Sequence, residues 1–109
     1  MGDAEDTVEH SGKTFPVDFE GFLTDTSLWC PEWVDHVREI EEIDEITEEH
    51  EEVMERLRDY YALHGRPPRV KDTTQVTGYK LKTIYELFPS GPGKGACKMA
   101  GLPKPDGCT

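Results

Sequence analysis

Two cysteines near the C-terminus carry the chemistry that this sequence offers. Cys108 is the second-last of 109 residues. A thiol at the end of a terminal segment costs little to move and can enter the active site of another protein. From Gly101 to Cys108 such a segment reaches ~23 Å at full extension. It holds Pro103 and Pro105 and shows no hydrophobic periodicity, so residues 101–109 are expected to form an extended, mobile arm. Cys97 lies 11 positions earlier, flanked by Lys94 and Lys98 and near the start of a short helix expected from Gly95 to Ala100. Both features favour thiolate over thiol. The glycines and prolines between the cysteines allow the segment to fold back and join the two sulfurs, if the Cα atoms come within about 7 Å. On spacing alone Cys97 has two readings, a redox-active second thiol or a buried cysteine without chemistry. Cys30, between Trp29 and Pro31, reads as a small packed hydrophobe.

Other chemistries find less support. Three cysteines and four histidines (His10, His36, His50, His64) are present, but no CxxC, HxxxH or CxxH pair, so no metal site is assigned. There is no GxSxG, and the acids from Glu39 to Glu55 read as a solvated helix face. His64, on a helix stripe, reads as a partly buried core histidine. Gly91, Gly93 and Gly95 lack the strand and the GK[ST] ending of a phosphate loop, and no cofactor is implied.

The length allows one domain, residues 1–109. Apolar residues make up 35% of the chain and charged residues 32%, with a mean hydropathy of −0.68. No apolar run approaches the roughly 20 residues that span a bilayer. The acidic start MGDAEDTVEHSGK has no apolar segment of the secretory kind, so a cytoplasmic location is expected, with the protein not itself inserted in a membrane. In that reducing space cysteines serve as reactive thiols rather than staples. The net charge of −11 divides into −17 over residues 1–55 and +6 over residues 56–109. This asymmetry has two readings, a solvated acidic face on the helices or a bipolar surface whose basic half steers an anionic ligand or an acidic protein partner. An acidic chain disfavours nucleic acid as a partner.

The elements that must position the thiols follow from local signals. Thr7 to Val17 reads as a hairpin around Ser11-Gly12, with Pro16 at an edge and a second turn at Glu20-Gly21; residues 1–6 are expected to be disordered. Pro31 opens a helix whose apolar face is Trp33, Val34, Val37 and Ile40. Thr47 caps a second helix that Gly65 ends, with Val53, Leu57, Tyr60, Tyr61 and His64 on one stripe and Met54 beside it. Arg66-Pro67-Pro68 is a stiff break. Short helices are expected over Thr73–Thr77 and Lys80–Phe88, then a turn over Ser90–Gly93. The fold class is mostly α, a small helical bundle with an N-terminal β-hairpin and a flexible C-terminal arm.

Residues 87–108, LFPSGPGKGACKMAGLPKPDGC, closely resemble the signature of the DsrC/TusE family. The likeness extends through FPVDFEGFL (residues 15–23), TEEH (47–50) and LRDYY (57–61). It departs from the family pattern at Thr109, at Glu51 and along Lys71–Thr83. TusE-like members, which relay persulfide sulfur towards tRNA thiolation, keep only the penultimate cysteine, whereas DsrC-like members keep both. This chain has both. The resemblance implies a sulfur-carrier protein of sulfurtransferase type rather than a stand-alone enzyme. In it Cys108 enters dissimilatory sulfite reductase and takes up sulfur at the siroheme, and Cys97 joins it in a trisulfide. A membrane-bound trisulfide or disulfide reductase complex then reduces that product, and other sulfur-relay proteins are further partners. In sulfur oxidisers the pair carries persulfide sulfur the other way. Arg69 matches a family arginine near the arm. The alternatives are a TusE-like relay for tRNA 2-thiouridine synthesis and a helix-turn-helix DNA-binding regulator built on residues 68–88.

Overall fold

The computed structural model describes residues 6–107. Strands β1 (Asp6–His10) and β2 (Lys13–Val17) form an antiparallel hairpin in which Val8 faces Phe15. Ser11 and Gly12 both take left-handed backbone conformations (φ 52° and 81°), the twist that a two-residue turn needs. Asp6, expected within the disordered start, is already paired with Val17. Residues 1–5, with Cys108 and Thr109, lie outside the described residues. The hairpin buries Phe15 and Val17, and the chain then turns at Asp18–Gly21 to bury Phe22 and Leu23. Two strands have too little core of their own. They lean on helix α1 (Pro31–Glu41), where the Phe15 ring meets Trp33 edge-on at 5.3 Å between centroids.

Helix α1 buries Trp33 and Val37, with Val34 half-buried. Its expected apolar face is one residue too long, because Ile40 is 57% exposed. The last turn of α1 meets the rest of the chain through a polar contact instead, with the Glu41 carboxylate accepting from the Ser90 N–H (2.8 Å) and hydroxyl (2.7 Å). Helix α2 (Glu48–His64) starts at Thr47 and stops at Gly65 in the left-handed conformation, as its capping residues predict. Val53, Met54 and Leu57 enter the core.

The histidine inside α2 is a different one from that expected. His64 sits in the last turn, which runs past the end of the core, and it is exposed with its ring stacked on Tyr60 at 4.1 Å. His50 is buried, and its Nδ1 accepts from the Thr47 N–H (3.0 Å) while Nε2 donates to the Leu87 carbonyl (2.8 Å). It thus closes the capping box in the place usually held by Glu or Gln, and ties α2 to the end of α4.

Helices α3 (Thr73–Thr77) and α4 (Leu81–Leu87) are joined through Gly78. Arg56 of α2 donates to the Thr77 carbonyl at 3.0 Å and holds α3 in place. Ile84 and Phe88 complete the core from this side. The expected turn at Ser90–Gly93 and short helix at Gly95–Ala100 are replaced by one π-helical segment, Pro92–Cys97. Gly95 allows the wide turn, since a Cβ there would fall 2.8 Å from the Phe88 Cβ. No helix among the described residues is long and apolar enough to cross a membrane.

The segment ends in a Schellman motif. Gly101 N–H donates to the Lys98 carbonyl and Leu102 N–H to the Cys97 carbonyl, both at 3.0 Å, with Gly101 at φ 76°. A Cβ on Gly101 would lie 2.6 Å from Trp29 Cδ1. Gly101→Ala therefore combines left-handed strain with a steric clash and is expected to cost about 2–3 kcal/mol. Urea denaturation should show it as a lower midpoint at unchanged slope.

Candidate functional site

The base of the arm is anchored by three side chains from the helical body. Helix C-termini leave carbonyls with spare acceptor capacity, and here three consecutive ones each accept from a side chain. Trp33 Nε1–H donates to the Lys98 carbonyl (2.8 Å), Trp29 Nε1–H to that of Met99 (2.9 Å), and Arg58 to that of Ala100 (2.8 Å). The Arg58 guanidinium lies 4.2 Å from the centre of the Trp29 ring, and burial lowers its pKa below the ordinary arginine value. Leu102 is fully buried. The anchored part of the chain thus extends one residue beyond Gly101.

Cys97 sits at the end of the π-helical segment, at 0% exposure, in the core with Ala96, Met99 and Leu102. Its flanking Lys98 is directed to the turn at Glu20. The ammonium donates to the Glu20 carbonyl at 2.9 Å and lies 4.9 Å from the Phe22 ring centre. Burial lowers the Lys98 pKa, an effect that Glu41 and Asp18 oppose. Reagents in bulk water reach the Cys97 sulfur only when its surroundings open. Cys30 is half-buried and packs against the core from the start of α1.

Beyond Leu102 the described part of the arm lies on the body. Pro105 is buried, Lys104 Nζ is 3.0 Å from Glu20 Oε1, and the Asp106 carbonyl accepts from the Val70 N–H at 3.1 Å. Cys108 lies outside the described residues; the chain up to Gly107 runs beside Val70. Arg69, next in sequence to Val70, is exposed and its Nε donates to Asp72 at 2.9 Å. Sequence reading missed Trp29, Trp33 and Arg58 as the arm's anchor and Glu20 as its neighbour. Each contact joins residues 42 to 84 positions apart.

Two further features have the outline of a site. An open groove of about 550 Å³ beside Trp29 and Arg58, floored by Val34, Ile46 and Met54, has no cysteine or histidine in its lining. His10, Asp35 and Glu39 form the one group of metal-capable side chains among the described residues. Arg38 already pairs with both carboxylates, at 2.8 Å (Asp35) and 3.6 Å (Glu39), and the His10–Asp35 bond of 2.8 Å pins β1 to α1. That His10 bond, with the one from Arg38, holds the Asp35 carboxyl below its ordinary pKa.

The family described as "DsrC like protein" matches residues 9–109. This chain belongs to the DsrC family. The DsrC-family chain is 55% identical over 101 residues to the "Sulfite reductase, dissimilatory-type subunit gamma" of Nitratidesulfovibrio vulgaris, covering 93% of this chain and 96% of that protein. It is 35% identical over 104 residues to "Sulfurtransferase TusE" of Escherichia coli K12, covering 89% and 94% respectively. Among solved structures, a chain in the crystal structure of dissimilatory sulfite reductase I (DsrI) superposes with a TM-score of 0.85 at 51% identity, covering 95% of this chain and all of that one. The hairpin-and-helices fold read from this sequence is thus the DsrC fold.

Proposed function

We propose that this DsrC-family chain is a sulfur carrier, the thiol co-substrate of a dissimilatory sulfite reductase, with Cys108 as the loading thiol and Cys97 as the resolving one. The observation that carries this reading is the pair of cysteines set on either side of a fixed pivot. Cys97 belongs to the anchored body and Cys108 to the segment beyond Leu102, in a chain 55% identical to a sulfite reductase gamma subunit. From Leu102 to Cys108 the segment spans ~20 Å when extended. That is long enough to carry a thiol into a partner's active site while the body stays outside.

In this mechanism the sulfur of sulfite is reduced to the zero-valent level and bridges the two cysteine sulfurs as a trisulfide. The thiols give up their protons and supply two electrons, the reductase supplies two more, and with four further protons the three sulfite oxygens leave as water. A membrane-bound reductase complex then adds four electrons and four protons, which releases sulfide and restores both thiols. Burial of Cys97 fits its role. It stays out of reach while Cys108 is being loaded and is exposed only when the arm's base opens. The test is peptide mapping by mass spectrometry after incubation with a dissimilatory sulfite reductase, its electron donor and sulfite. The expected product is one added sulfur linking the Cys97 and Cys108 peptides, and absence of any sulfur gain rejects the reading.

Docking is expected to use the basic half. Arg66, Arg69, Lys80 and Lys82 are all exposed. Reversing Arg69 and Lys80 to Glu should slow association by about tenfold at low salt and much less at high salt, because screening removes the steering field. Stopped-flow binding at two ionic strengths checks this, and equal slowing at both would show that the patch does not steer.

A further inference from the structure

Besides the buried Pro105, polar contacts of two kinds tie the described arm, residues 103–107, to the body. At one, Lys104 Nζ lies 3.0 Å from Oε1 and 3.0 Å from Oε2 of Glu20, so that a single ammonium meets both carboxylate oxygens. At the other, the Asp106 carbonyl accepts from Val70 N–H. Val70 opens a short 3₁₀ turn (Val70–Asp72), where the first N–H groups have no partner within the turn. The arm therefore supplies what the turn lacks.

Glu20 is held ready for this contact by the turn that carries it. Asp18 Oδ1 accepts from the N–H groups of Glu20 and Phe22, both at 2.9 Å, and the Asp18 carbonyl accepts from Gly21 N–H at 2.9 Å. The Glu20 carbonyl is fastened from below by Lys98, which belongs to the anchored body. Gly21 takes the left-handed conformation (φ 88°) that closes this turn. Both partners of the Glu20–Lys104 pair are part-covered, with side-chain exposures of 26% and 30%. Such a pair outweighs a fully solvated one, yet salt still weakens it.

We propose that Glu20 is the latch of the arm, a positioning residue that holds Lys104 and thereby sets how often the segment leading to Cys108 leaves the body. Prolines at 103 and 105 stiffen the segment, so once the Glu20–Lys104 pair opens the segment lifts as a unit from Pro103 onward, giving up the Asp106–Val70 hydrogen bond and the burial of Pro105 together. The purpose of this release rests on the sulfur-carrier reading. The latch itself does not.

The Val70 amide reports the latch directly, because its hydrogen bond is lost when the arm lifts. Amide hydrogen exchange in the full chain is compared for wild type, Glu20→Gln, Lys104→Gln and the double variant. Each single variant is expected to speed Val70 exchange by about fivefold, and the double by no more than either single. High salt should speed it in wild type and have little effect in Glu20→Gln. Exchange at Val53 and Leu57, in the core of α2, should not change. Thiol alkylation of Cys108 should quicken with Val70 exchange. Val70 exchange at the wild-type rate in Lys104→Gln, or additive effects in the double variant, overturns the latch. Failure of Cys108 to load sulfur while Val70 responds as expected removes the carrier reading and keeps the latch.

Discussion

Cys108→Ser abolishes sulfur loading: this is the largest functional effect expected of any single change in this chain. Sulfur transfer needs a thiolate that can leave the protein surface and a second one able to resolve the product. Serine matches cysteine in shape and leaves the helical body untouched, but its hydroxyl forms no persulfide. The loss should be complete at unchanged stability. Cys97→Ser should behave differently. Cys108 still loads, but the sulfur cannot be closed into an intramolecular trisulfide, so a persulfide or an intermolecular dimer accumulates. Because Cys97 is fully buried among apolar side chains, its replacement by the more polar serine also costs roughly 1–2 kcal/mol, which Cys108→Ser does not. Cys30→Ser leaves loading intact and costs only some packing. Peptide mapping after reaction with reductase and sulfite separates these outcomes. Wild-type sulfur gain in Cys108→Ser would show that the arm is not the carrier.

The largest structural effect is expected at Trp33. Its side chain is fully buried, packs edge-on against Phe15 and donates to the Lys98 carbonyl at the base of the arm. Trp33→Ala removes a large core side chain, at a cost of about 3–5 kcal/mol, against a total stability of about 5–15 kcal/mol for a domain of this kind. The melting temperature should fall by about 15–25 °C. Trp33→Phe retains most of the ring volume and loses only the indole donor, so about 1–2 kcal/mol is expected. Scanning calorimetry of the two variants separates packing from the carbonyl contact. A fall below about 5 °C for Trp33→Ala would mean that the hairpin and α1 collapse onto the gap.

Features that depend on a few neighbouring residues were legible from the sequence. Ser11-Gly12 marks the hairpin turn and Thr47 and Gly65 bound α2, because turn and cap chemistry acts within about four residues. The same holds for the family. The run from Leu87 to Cys108 is continuous in sequence, and the match over residues 9–109 establishes the membership that this run implied. Membership brings the expected hairpin and helices with it.

The surroundings of Cys97 were decided by tertiary structure. Flanking lysines pointed to an activated Cys97, yet the backbone buries that cysteine and turns Lys98 towards Glu20. Periodicity put Ile40 and His64 on apolar faces, but it cannot say where the core ends. The last turns of α1 and α2 run beyond it, while His50 is drawn inside by its bond to Leu87, 37 residues away. Two tryptophans and an arginine look like ordinary core and surface residues until the fold brings their N–H groups to three successive carbonyls. Those contacts arise only when elements far apart in the chain pack together. The local sequence specifies which segments turn and coil, whereas burial, the partner of each charged group and the resting place of the arm follow from which faces meet.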